Sequence, residues 1–212
     1  MFLIEAFVYL GTIAFAISGS LVGIKKDLDI FGVILLGLTT ALGGGVIRDL
    51  MIGNIPPTNL ADPQYFLVSL VASLATIKFH DFINKLSYPI NFSDAIGLGV
   101  FTAVGANAAI NSGYTQPFII VAMGLVTGIG GGVLRDVFVR EIPFVFRKEI
   151  YGIASIAGSI TLILTYYLFT PTISLYTCLF VTLTIRILAI KKKWNVPIVQ
   201  RKPNVHKKTA NF

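Results

Sequence analysis

The sequence predicts an all-α membrane protein of seven transmembrane helices, two inverted three-helix repeats plus a seventh helix. Three observations predict it: a composition too apolar for a water-soluble domain, seven apolar stretches, and an internal duplication whose unit holds an odd number of spans. Of 212 residues, 55% are hydrophobic and 13% charged, and the mean hydropathy is +0.80. A soluble domain carries roughly 25% charged residues. Lipid is the solvent that suits this composition, because there the outer face must be apolar as well.

A spanning helix needs about 20 mostly apolar residues. The candidates are 2–24, 30–51, 65–77, 93–110, 116–139, 150–169 and 172–190, the third expected to begin earlier, near Pro63. No polar linker is long enough to separate domains, so 1–212 reads as one transmembrane domain. The first stretch carries a small-x-small run, Ala14-Phe15-Ala16, like a signal-peptide cleavage site. It lacks the basic start of a signal, carries Glu5 instead, and recurs in mid-chain, so it is expected to remain as the first span.

Basic residues set the orientation. Lys25 and Lys26 fall between spans one and two, and Lys78 and Lys85 between three and four. Arg140, Arg147 and Lys148 fall between five and six, and Lys191, Lys192, Lys193, Arg201, Lys202, Lys207 and Lys208 follow the last span. The alternate loops hold no Lys or Arg. The expectation is a periplasmic N-terminus and a cytoplasmic C-terminus in a bacterial inner membrane. The net charge of +7 comes largely from the tail 191–212, which reads as an anchor to anionic membrane lipid. No soluble domain is left to bind nucleic acid, and none is expected as a partner.

Segment 40–56, Thr-Ala-Leu-Gly-Gly-Gly-Val-Ile-Arg-Asp-Leu-Met-Ile-Gly-Asn-Ile-Pro, matches segment 127–143, Thr-Gly-Ile-Gly-Gly-Gly-Val-Leu-Arg-Asp-Val-Phe-Val-Arg-Glu-Ile-Pro, at nine of seventeen positions and a constant offset of 87. Upstream, Gly11, Phe15 and Gly19 match Gly97, Phe101 and Gly105 at an offset of 86. Repeat one covers about 1–80 and repeat two about 92–170, followed by the seventh helix 172–190. A unit of three spans inserts its second copy upside down, which brings the two glycine triplets together near the membrane midplane. Transporters and channels place their pathway at such an interface.

Gly43, Gly44 and Gly45, with Gly130, Gly131 and Gly132, strip the side chains from two stretches of helix. They are expected to loosen the backbone and present carbonyl oxygens to a cation. The competing reading is close helix packing, since small residues let helices approach. The pairs Arg48-Asp49 and Arg135-Asp136 read either as pathway charges or as helix-end anchors. Adjacent helical positions point about 100° apart, so neither pair is required to bond internally. Ser18, Thr40, Asn107 and Thr127 are further candidate pathway residues. Glu5 and Asp94, near span starts, read as interfacial, and Arg186 is expected to snorkel to the cytoplasmic surface. His80 and His206 lack metal-ligand spacing, the glycine triplets are not a Walker loop, and Cys178 stands alone. Neither an enzyme, a cofactor, a metal site nor an internal disulfide is expected.

Two Gly-Gly-Gly-x-x-Arg-Asp segments in a chain of this length and span number resemble the prokaryotic trimeric intracellular cation (TRIC) channel family. The same bacterial repeat is also labelled a glycine transporter domain. The resemblance implies a homotrimer, each protomer with its own pore for potassium and sodium, lined by spans two and five kinked at their triplets. By motif, the pore positions are Gly43, Gly44, Gly45, Arg48, Asp49, Gly130, Gly131, Gly132, Arg135 and Asp136. No match is found to the Lys-containing signature with which animal members bind phosphoinositide. The function classes are therefore a monovalent cation channel, a secondary transporter for a small solute such as glycine, and a non-conducting scaffold.

Overall fold

The computed structural model describes residues 2–83, 85, 88–147 and 150–194. Lys148, Arg201, Lys202, His206, Lys207 and Lys208, and with them most of the tail 191–212, lie outside the described residues. The chain forms α1 (Phe2–Lys25), α2 (Ile30–Met51), α3 (Thr58–Ala61), α4 (Pro63–Ile83), α5 (Pro89–Asn111), α6 (Pro117–Phe138), α7 (Phe144–Arg147), α8 (Tyr151–Tyr166) and α9 (Pro171–Lys192).

Local signals explain most of the starts. Proline opens α4, α5, α6 and α9, where its missing N–H would have no helical partner in any case. The Asp29 carboxylate caps α2 by accepting from the Gly32 N–H at 2.7 Å, and the Thr170 hydroxyl caps α9. Among the described residues six helices, α1, α2, α4, α5, α6 and α9, are long and apolar enough to cross a membrane. The stretch 150–169 behaves differently. Its helix α8 has 16 residues and rises about 24 Å, short of the roughly 30 Å of a bilayer core. Helix α8 ends at Tyr166, and a turn over 167–169 leads to Pro171 and the start of α9.

Helices α1, α2 and α4 pack against one another, and so do α5, α6 and α8. The two bundles meet through α1 against α5 and α2 against α6, while α9 lies against α5 and α8. At the first of these seams the repeat-equivalent rings of Phe15 and Phe101 stack with centroids 5.2 Å apart. Small residues fill the interior, among them Ala16, Ala95, Ala106 and Ala154, all fully buried. Large apolar side chains such as Phe31, Phe118 and Leu164 point outward. A protein that buries small residues and exposes large apolar ones is packed for lipid. It is a multi-pass helical membrane protein.

Candidate functional site: two glycine triplets and two arginine–aspartate turns

Helices α2 and α6 remain α-helical straight through residues 43–45 and 130–132. The glycines do not unwind the backbone, because each middle glycine is held by the other helix. A Cβ on Gly44 would meet the Thr127 carbonyl oxygen and lie 3.2 Å from the Gly131 nitrogen. A Cβ on Gly131 would meet the Thr40 carbonyl oxygen and lie 3.1 Å from its carbon. Thr40 and Thr127, like Gly44 and Gly131, are repeat equivalents at offset 87. The contact is therefore reciprocal: each glycine turns a Cα–H toward the carbonyl of the other helix, a recurring feature of close helix crossings. The hydroxyls of Thr40 and Thr127 donate to their own helices, to Leu36 and Met123 carbonyls, both at 2.6 Å. They pack on Gly19 and Gly105.

The flanking glycines face different surroundings. Gly43 is packed by Leu134, and Gly130 by Gly44. Gly45 abuts the Asn59 side chain, whose amide donates to the Leu42 carbonyl at 3.2 Å. Its equivalent, Gly132, looks onto polar groups at ordinary contact distance. The Tyr151 hydroxyl, an Arg135 nitrogen and Asp94 Oδ1 lie 3.5, 3.7 and 3.9 Å from the place of its Cβ.

The Arg-Asp pairs build one turn twice. Helix α2 ends with the Asn54 N–H donating to the Asp49 carbonyl at 2.8 Å, and α6 with the Glu141 N–H donating to the Asp136 carbonyl at 2.9 Å. These are Schellman turns, which place a left-handed residue just past the helix. Gly53 fills that position in one copy (φ 77) and Arg140 in the other (φ 56). The reversal carries the chain back so that the aspartate can cap it beyond the Ile-Pro step. Asp49 Oδ2 accepts from the Thr58 N–H at 2.8 Å, and Asp136 Oδ2 accepts from the Phe144 N–H at 2.7 Å, at the starts of α3 and α7. The other carboxylate oxygen takes the neighbouring guanidinium: Arg48 Nε to Asp49 Oδ1 and Arg135 Nε to Asp136 Oδ1, both 2.8 Å. The adjacent charges do pair, although their 100° separation did not require it, because the arginine is long enough to fold around its neighbour.

Beyond the shared turn the copies differ. Arg135 reaches on to Asp94 Oδ1 at 2.7 Å and to the Ser18 hydroxyl at 2.6 Å, joining α1, α5 and α6. Asp94 is 3% exposed, so its reading as an interfacial residue is corrected. Asp94, Arg135 and Asp136 are the buried part of the lining of a cavity of about 390 Å³, which also includes Lys25, Lys26, Asn91 and Glu141. Lys26 and Glu141 form an ion pair. Arg186 is also corrected: it is fully buried, its guanidinium 4.7 Å from the Tyr151 ring centre and 5.8 Å from that of Phe144. Helical side chains lean toward the helix N-terminus, which for Arg186 is inward rather than toward the tail. Asn107, thirteen residues along α5 from Asp94, is half-buried and apart from this network. Asn59 is the residue that the motifs do not single out, and Asp94 is singled out without its partner; neither lies in the matching segments 40–56 and 127–143.

The fold is that of a multi-pass helical membrane protein, and comparison places the chain in a family. A family model described as Glycine transporter matches twice, at residues 5–81 and 91–167. Inner membrane protein YadS of Escherichia coli is 41% identical over 190 residues, 88% of this chain and 91% of that one. Membrane protein YvgT of Bacillus subtilis is 35% identical over 193 residues, covering 89% and 92%. Among solved structures, a chain described under conductance through TRIC cation channels superposes with a TM-score of 0.88 at 37% identity, covering 94% of this chain and 98% of that one. The TRIC orthologue from Rhodobacter sphaeroides gives 0.85 at 30% identity, covering 91% and 99%. The chain belongs to this prokaryotic TRIC family, whose repeat carries the glycine transporter description.

Proposed function

We propose that the protein is a monovalent cation channel, conducting potassium and sodium through each protomer of a homotrimer. The observation that carries this reading is the superposition on TRIC cation channels over 94% of the chain at 37% identity. The pore runs beside the crossing of α2 and α6, lined by Gly43, Gly44, Gly45, Arg48 and Asp49 and by Gly130, Gly131, Gly132, Arg135 and Asp136, with Ser18 at one end. Repeats one (about 1–80) and two (about 92–170) are inverted, α8 counts as a short span, and α9 is the seventh. A short span is accommodated by local bilayer thinning. With seven spans the N-terminus is periplasmic, and the basic tail 191–212 is cytoplasmic, against anionic lipid.

Proteoliposomes loaded with potassium test this reading. Passive efflux that also passes sodium, excludes chloride and does not saturate at millimolar concentrations is expected. Saturable uptake of a small solute, with no cation leak, would overturn it. A transporter of a small solute such as glycine is the second reading. It is favoured by the description of the family model and by a cavity lined by both acids and bases.

A further inference from the structure

The hydrogen bonds and ion pairs between side chains that tie the two bundles together lie at one end. Among the described residues they include Ser18 to Asp94 at 3.2 Å, Arg135 to Ser18 at 2.6 Å, and Lys26 to Glu141. Ser18 and Lys26 belong to the first bundle and its loop; Asp94, Arg135 and Glu141 belong to the second. At the far end, the side-chain bonds of Arg48, Asp49, Asn54 and Asn59 stay within the first bundle.

This one-sidedness is written in the sequence. At the repeat offsets, Ser18 corresponds to Val104 and Asp94 to Val8, so Arg48 meets no counterpart of the cluster around Arg135. Lys26 corresponds to Ser112 and Glu141 to Asn54, an uncharged pair. A duplicated protein that keeps its structural turn in both copies, and inter-bundle charge in only one, has made its two ends unequal. The unequal contacts also occupy a particular place. Asp94 and Arg135, the partners of Ser18, form the buried end of the cavity lining, and the half-exposed Lys26–Glu141 pair forms its exposed end, the mouth.

We propose that these contacts are a two-layer latch that closes the path at the Lys26 end, while the Arg48 end carries no such gate. Parting the bundles there breaks the mouth pair and the Ser18 bonds together, and leaves Arg135 paired with Asp94 and Asp136 within its own bundle. Each of these buried charges keeps an ion-pair partner on opening. An exposed ion pair shifts a two-state equilibrium by up to about fivefold, so the latch is weak enough to operate.

The latch rests on the channel reading, and one set of variants separates the two. Lys26→Gln and Glu141→Gln change the charge at the mouth in opposite directions, and Ser18→Ala changes none. In bilayer recordings of the full-length protein, all three are expected to raise open probability, by about twofold to fivefold for the mouth pair. Opposite shifts for Lys26→Gln and Glu141→Gln would show a surface-charge effect and overturn the latch, as would unchanged open probability in all three. A second readout needs no conduction. Asn91→Cys in a Cys178→Ala background places a thiol in the cavity lining. Its labelling by a methanethiosulfonate reagent is expected to accelerate in each latch variant and to stay unchanged in Asn54→Ala. Equal labelling rates throughout would overturn the latch even in a conducting protein. Faster labelling in a protein that passes no current would sink the channel reading alone.

Discussion

Replacing Gly44 or Gly131 with alanine sets two physical effects against each other. In an open helix the change would add about 1 kcal/mol of helix propensity. Here the new methyl group lands on a backbone carbonyl of the facing helix, Thr127 or Thr40, closer than real Cβ atoms approach. A backbone carbonyl cannot rotate away, so α2 and α6 must separate. Overpacking of this kind costs about 1–3 kcal/mol, and the lost Cα–H contact about another 0.5–1 kcal/mol. The net is a loss of about 0.5–3 kcal/mol per site once propensity is credited. At about 2–4 °C per kcal/mol for a chain of this size, each variant is expected to melt several degrees below the parent in detergent. The double variant is expected to cost less than the sum, since one separation relieves both clashes. Gly132→Ala is the internal control. Its methyl finds nothing nearer than 3.5 Å and should leave the melting temperature unchanged or raised. Fluorescence-detected size-exclusion thermostability of the four variants decides it. Melting of Gly44→Ala and Gly131→Ala at or above the parent would refute the reciprocal crossing.

Three further outcomes are expected. Arg140→Gly relieves a left-handed residue that the first copy already fills with Gly53, so a gain of about 0.5–1 kcal/mol should appear as a higher melting temperature. Asp49→Ala strands the buried Arg48 and the Thr58 N–H; a loss of about 3 kcal/mol or more should remove the monodisperse peak on size exclusion, and a parental profile would contradict the capping role. Leu60→Cys, exposed on the short helix α3, should react with an impermeant maleimide in intact cells, and Lys207→Cys should not; the reverse would invert the proposed orientation.

Much of the arrangement around α2 and α6 was legible because it is written twice. The duplication predicted that the triplets are equivalent, and the reciprocal contact of Gly44 and Gly131 with Thr127 and Thr40 is that equivalence in three dimensions. What the triplets do to the backbone was not legible. Glycine lowers helix propensity in isolation, but close contact with a second helix outweighs it, and that contact is not local in sequence. The Arg-Asp pairs were visible as charges, while their capping role was hidden in a Schellman turn whose left-handed residue is glycine in only one copy. Asp94 was misjudged because its place near the start of α5 suggests a wet interface. Arg135, forty-one residues away, supplies the guanidinium that keeps it buried. Arg186 was misjudged from its distance to the tail, when the lean of helical side chains decides which way it points.

The most direct test of the central claim is single-channel recording of the purified protein in a planar bilayer under a potassium chloride gradient. A channel of this family gives unitary steps that reverse near the potassium equilibrium potential, with amplitude reduced in Gly132→Ala while that variant's melting temperature holds. A silent bilayer, from protein that takes up a small solute saturably in liposomes, would contradict conduction.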